Sequence, residues 1–272
     1  MTDALAIMAA PFAACVVLTG IHAYLGLHVL ARGVIFVDLA LAQVAALGAT
    51  GAFLLGHEVG GGVAYGLSLL AALAAALLFA LSRRKVERVP QEAIIGVVYA
   101  VAAAGVILLV DRAPHGGEHI KTLLVGQILW VDWVGVAKLA GLYALVGALH
   151  YALRQPLLLV SQDPDEARSQ GLSIWLWDFL FYASFAVVVT SSVAIAGVLL
   201  VFSFLIVPAL LGVLLAEGLG ARLKIAWAAG GGIALAGCAL SYAFDLPTGA
   251  AVVCTFGAAL ALVAPVASRL RR

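Results

Sequence analysis

Apolar residues run through this chain in long blocks with few polar interruptions, and those blocks define its elements. A window of about 20 residues, the length of helix that crosses a bilayer core, picks out spans near 5–30, 33–56, 61–82, 93–110, 133–153, 174–192, 193–216, 223–243 and 247–268. The pattern predicts an all-α, polytopic transmembrane helical bundle of about nine membrane helices, with eight as the alternative. The division within 174–216 falls in "VTSSVAIAG", because 43 residues are too many for one crossing. Gly and Ala crowd the spans, as in "LSLLAALAAALLFAL" and "AAGGGIALAG". Small residues let helices approach closely where lipid removes the hydrophobic drive between them. The opening stretch has no basic n-region and outlasts a signal-peptide core, so it predicts a first membrane helix that is retained.

Composition supports this reading. Of 272 residues 65% are hydrophobic and 11% charged, with a mean hydropathy of +1.15, which leaves too little polar sequence to cover a water-soluble domain. Residues 1–272 therefore read as a single transmembrane domain. A net charge of +1, with no interleaving of aromatic and basic residues, excludes nucleic acid as a partner and leaves membrane lipid as the surroundings. Cys15, Cys238 and Cys254 are odd in number and scattered through apolar runs, so they read as small packing residues rather than as a disulfide framework or metal site. Lys and Arg orient the chain. Arg32, Arg83, Arg84, Lys85, Arg88, Arg154, Arg168, Arg222, Lys224, Arg269, Arg271 and Arg272 fall on one side, against Arg112 and Lys121 on the other. The positive-inside rule then places the N-terminus outside and the C-terminus in the cytoplasm.

Three connections carry candidate chemistry. In the inner loop 154–175, Asp163 has the form of a helix cap, Pro164 suits the first helical position, Asp165 and Glu166 favour the first turn, and Gly171 supplies a stop. A short capped helix on the cytoplasmic face suits docking of a soluble partner; the alternative is an ordinary surface helix. In the outer connection 111–133, His115, Glu118 and His119 spell H-x-x-E-H, a zinc-peptidase pattern. Pro114, Gly116 and Gly117 argue against the helix that this motif needs. The three side chains then read as a divalent-cation contact at an outer entrance, or as a solvated loop. The segment from Ile120 to Trp130 is apolar but too short to cross, which predicts a re-entrant or interfacial piece. "FDLPTGA", at 244–250, reads as a tight turn.

Inside the spans, polar groups are few: His22, His28, Asp38, Gln43, His150 and Asp178. Asp38 lies about 7 Å into its span when counted from Gly33 at about 1.5 Å per residue. That depth leaves it partly wet, paired with Arg32, or an anchor of its helix. Asp178 reads as a salt-bridge or helix-end residue, His28 and His150 as packing or interfacial residues, and Thr190, Ser191 and Ser192 as groups that satisfy backbone atoms between helices. The chain has no G-x-x-x-x-G-K-[ST], so any energy from ATP comes from another polypeptide.

Several stretches, in order along nearly the whole chain, resemble permease subunits of the ABC-3 family of divalent-metal importers: "RGVIFVDLALAQVAALG", "QEAIIGVVYAVAAAGVILL", "LLVGQILWV", "DPDEARSQGL", "AGVLLVFSFLIVPALLGVLL" and "SYAFDLPTGAAVV". The resemblance implies a single permease domain at the cell inner membrane, which is not itself an enzyme. It implies a homodimer with one ATPase subunit under each copy, an extracytoplasmic metal-binding protein, and a zinc- or manganese-class ion as the transported substrate, with no tightly bound cofactor. It places the ATPase contact at Asp163, Pro164, Glu166 and Gly171. The family's second span carries an aspartate and, four residues later, a histidine; here Asp38 is kept as the metal ligand and Ala42 takes the second place. Gln43 and His22 are the nearest candidates to complete the ion pathway. Leu47 stands where the family has proline, and Gln127 where it often has asparagine. An ion-coupled secondary carrier working through Asp38, a permease for a non-metal solute and a membrane enzyme built on His115, Glu118 and His119 are the competing readings.

Overall fold

The computed structural model describes residues 2–58, 60–85, 89–111 and 124–270. Ten α-helices account for most of them: α1 Thr2–Arg32, α2 Val37–Leu54, α3 Gly62–Lys85, α4 Gln91–Val110, α5 Trp133–Ala152, α6 Arg154–Gln162, α7 Pro164–Ser169, α8 Ile174–Leu215, α9 Leu219–Phe244 and α10 Thr248–Leu270. A one-turn 3-10 helix at Ile128–Trp130 precedes α5, in the segment whose apolar length falls short of a crossing. Among the described residues, eight helices are long and apolar enough to cross a membrane. All eight correspond to spans expected from the hydropathy blocks.

The difference in count comes from α8, which runs 42 residues and would measure about 63 Å if straight, twice a bilayer's hydrocarbon core. Its backbone leaves helical geometry at Gly197, with φ 75° and ψ 163°. The lengths on either side, 174–196 and 198–215, are each about one crossing. The break falls on the last residue of "VTSSVAIAG", a few positions later than the division expected at 192/193, because only glycine there relieves the strain of positive φ.

The helices group into two compact units. One comprises residues 1–30, 124–144 and 195–272. Its close approaches depend on missing side chains: a Cβ at Gly26 would overlap the Leu205 carbonyl, and one at Gly230 would lie 2.5 Å from the Thr19 methyl. α9 packs on α10, and Phe204 meets Phe256 edge-on at 5.1 Å. Cys15 and Cys238 are buried free thiols within the packing of this unit, and Cys254 is an exposed one.

The second unit comprises residues 31–123 and 145–194. In it α2 packs against both α3 and α4. Gly48 brings α2 within backbone contact of Leu67 and Ser68 on α3, and Leu47 fits over Gly105 on α4. The first half of α8 runs against the length of α3. Asp178 meets Arg83 near one end and Ser191 meets Tyr65 near the other. The connection 154–175 holds two helices where one was expected. α6 was missed because "RQPLLLVSQ" carries a proline, Pro156, which the first turn of a helix tolerates. Its Leu157, Val160 and Ser161 are buried.

Candidate functional site

Asp38 is the second residue of α2, so it sits at the very start of that span rather than about 7 Å inside it: α1 ends at Arg32 and a turn carries the chain to Val37. Protein, not lipid depth, seals it. Its side chain is 0% exposed, and neither carboxylate oxygen has a hydrogen-bond partner among the described residues. Of the three readings open for it, partial wetting and pairing with Arg32 are both corrected. Arg32 is committed elsewhere, and the first-turn position supplies only the macrodipole's help to a negative charge.

Ala42, one turn along, is fully covered by its neighbours, and Gln43 is buried at 8% exposure. His22 belongs to the other unit. Its Nδ1 donates to the Leu18 carbonyl at 2.9 Å, and its ring lies edge-on to Tyr143. His28 packs edge-on against Tyr24, and His150 Nε2 meets Ser184 Oγ at 2.7 Å. Both fit the packing role expected of them. Ser191 and Ser192 donate to the carbonyls of Val187 and Val188 in their own helix rather than between helices, and Thr190 Oγ1 is buried with no hydrogen-bond partner among the described residues. His115, Glu118 and His119 lie outside the described residues.

Asp178 is the salt-bridge residue that the sequence suggested, and the structure supplies its partners. It pairs with Arg32 and accepts two bonds from Arg83 Nη1, each 3.1 Å. Arg32 also donates from Nε to Ser161 Oγ at 2.9 Å, and its guanidinium lies 4.1 Å from the centre of the Phe181 ring. In the sequence Arg83 is a topology signal only, and Arg32 a topology signal and a candidate partner of Asp38 rather than of Asp178. A lone acid at the start of a span signals that a counter-charge is needed, but which arginine answers depends on contacts 146 and 95 residues apart in the chain.

α7 forms as its residues suggested. Asp163 Oδ1 accepts from the Glu166 amide at 2.9 Å, Pro164 opens the helix, and Gly171 at φ +81° closes the turn after it. Glu166 also accepts from Gln170 Nε2, and Arg168 pairs with Asp165 on the exposed face. Ser161 on α6 ties this segment to Arg32, so one end of the second unit joins α6 and α7, the ion cluster and the approach to Asp38. In the first unit, Gly126 and Gly197, both at positive φ, touch backbone to backbone; the Gln127 amide donates to Ile195 carbonyl at 2.9 Å, and Gly249 sits on the Val125 carbonyl. Among the described residues, no three His, Cys, Asp or Glu side chains converge on a common point.

Comparisons with known proteins agree with this arrangement. The model of the ABC 3 transport family matches residues 4–267. The chelated iron transport system membrane protein YfeC of Yersinia pestis is 27% identical over 231 residues, 85% of this chain and 76% of that one. The manganese transport system membrane protein MntC of Halalkalibacterium halodurans is 27% identical over 167 residues, 61% of this chain and 57% of that one. Among solved structures, a chain of PsaBC from Streptococcus pneumoniae, in complex with Fab, shares the fold with a TM-score of 0.78 at 20% identity, covering 94% of this chain and 91% of that one.

Proposed function

The chain belongs to the ABC 3 transport family and is a multi-pass protein of the inner membrane, and from that premise we propose that it is the membrane-spanning permease subunit of an ATP-driven importer of a divalent transition-metal ion. Both units act as one permease domain with its N-terminus outside. ATP is hydrolysed on a separate subunit docked under α6 and α7 at Asp163, Pro164, Glu166 and Gly171. A second copy completes the pathway, and an extracytoplasmic metal-binding protein delivers the ion.

The observation that carries this reading is Asp38: a fully buried carboxylate whose two oxygens lack protein donors among the described residues. A bare buried charge is costly, and a passing cation is the partner that relieves it. The donors on α2 are oxygens, the Asp38 carboxylate and the Gln43 amide. Oxygen donors favour manganese-class ions over zinc, which prefers nitrogen and sulfur. His22 and the outer residues His115, Glu118 and His119 are the remaining candidates for the ion path. Ala42 also suits a second reading, in which the metal crosses with ligands of its own, as the name of the Yersinia pestis relative suggests for that protein.

Co-reconstitution with its ATPase subunit in liposomes tests both readings, using uptake of manganese, zinc and iron with and without a chelator. The expected result is ATP-dependent uptake of a divalent ion that disappears when the ATPase is left out. Uptake driven by an ion gradient alone would make the chain a secondary carrier, and ATP hydrolysis with no metal movement would remove the metal assignment.

A further inference from the structure

Arg32 sits where three parts of the second unit meet. Its Nε is held by Ser161 of α6, its Nη1 by Asp178 of α8, and its Nη2 has no hydrogen-bond partner among the described residues, although the side chain is 0% exposed. A buried guanidinium with an idle nitrogen is under-satisfied, and such a group needs an explanation. Arg32 lines an adjoining cavity of about 290 Å³ together with Ser82, Arg83, Gln91 and Glu92. Glu92 has the complementary deficit: Oε1 accepts from the Phe36 backbone amide at 3.0 Å, while Oε2 is buried without a partner among the described residues. Two residues of opposite charge that line one cavity thus each keep a buried polar atom without a hydrogen-bond partner among the described residues. Phe36 immediately precedes α2, and its carbonyl accepts from the Ala40 amide at 3.0 Å in the turn that carries Asp38.

Arg32 accordingly has one carboxylate engaged, Asp178, and a second, Glu92, on the cavity that both Arg32 and Glu92 line. Asp178 can release it without being left bare, because Arg83 already holds both of its oxygens. Glu92 can take it without leaving Phe36, because the two contacts use different oxygens.

Resting on the permease reading above, we infer that Arg32 and Glu92 are positioning residues for energy coupling: when α6 and α7 move with the ATPase, Arg32 exchanges Asp178 for Glu92 across this cavity and shifts the start of α2, and Asp38 with it. The exchange gives the segment that meets the ATPase a direct purchase on the helix that meets the ion. It does so with charged hydrogen bonds that are made in turn.

The test measures ions moved per ATP hydrolysed by the complete complex in liposomes, with manganese as the probe ion. Glu92→Gln keeps an acceptor for the Phe36 amide and removes only the waiting charge. It is expected to lower the ratio about tenfold, the scale of one charged hydrogen bond, with ATP hydrolysis unchanged. Glu92→Asp retains the carboxylate and is expected to restore most of the ratio, which a purely structural role would not do. Asp178→Asn weakens the engaged state and is also expected to uncouple; should that variant fail to fold, the two Glu92 variants still decide. An unchanged ratio in Glu92→Gln, beside a parent that transports normally, overturns the exchange while leaving the permease reading intact. A parent that moves no divalent ion during hydrolysis overturns the permease reading itself.

Discussion

Asp38 is held in a state that the rest of the described chain does little to stabilise. Its first-turn position offers the helix dipole, worth up to about 2 kcal/mol in partly buried settings, and no hydrogen bond adds to it. Replacing it with a neutral isostere should therefore stabilise the empty protein and disable transport. Asp38→Asn is expected to unfold at a higher temperature than the parent in metal-free detergent, and to lose ATP-driven uptake. Manganese should raise the parent's unfolding temperature, by about 2.7 kcal/mol of stability at a hundredfold excess over Kd, and leave the variant's unmoved. A variant that melts lower than the parent and still responds to the ion would remove Asp38 from the pathway. Asp178 behaves oppositely. Its removal leaves a fully buried arginine without its acid, so Asp178→Asn is expected to cost about 3 to 5 kcal/mol by thermal unfolding. The contrast shows what one sequence can and cannot disclose: both aspartates were visible as costly charges, but satisfied and unsatisfied carboxylates look alike until distant helices are brought together.

At the scale of elements, legibility followed the range of the interactions. α7 was readable because cap, proline, acids and stop lie within one short stretch and act on one another. Asp163→Ala should remove about 1 kcal/mol of that helix's stability and weaken binding of the ATPase subunit, measured by titrating it against the detergent-solubilised chain; unchanged affinity would put the contact elsewhere. The membrane helices were readable from hydropathy alone, because backbone groups in lipid have few ways of pairing other than a helix. The break in α8 was half readable. The length demanded one, but its exact residue depends on Gly126, which lies far away in the chain. A Cβ on Gly197 would stand 2.3 Å from the Gly126 nitrogen, at a φ of +75°. Gly197→Ala is therefore expected to abolish recovery of monodisperse protein, whereas Gly231→Ala, which meets nothing within 4 Å, should be neutral or gain about 0.5 to 1 kcal/mol. Equal recovery of the two variants would count against the packing at Gly126.

For the whole molecule, division of labour is the main theme. One unit places Asp38, the ion cluster, α6 and α7 along a connected set of contacts, and the other contains the second half of α8 with the segments around Gly126 and Gly249. The stretches that carried the family resemblance are distributed over both, which explains why it spanned the chain while no single motif announced a site.

The contact of Gly126, Gly197 and Gly249 also sets a timetable for synthesis. The Gln127 amide leaves the ribosome roughly 70 residues before the Ile195 carbonyl that accepts its bond, a wait of several seconds at about 5 to 20 residues per second. Gly249 arrives later still. The segment before α5 therefore waits for its partners while α6, α7 and the first half of α8 are made, and its final fit is expected among the last steps of biogenesis. A nascent chain arrested between residues 200 and 245 should already hold Asp178 against its arginines, yet lack the seat for Gly249.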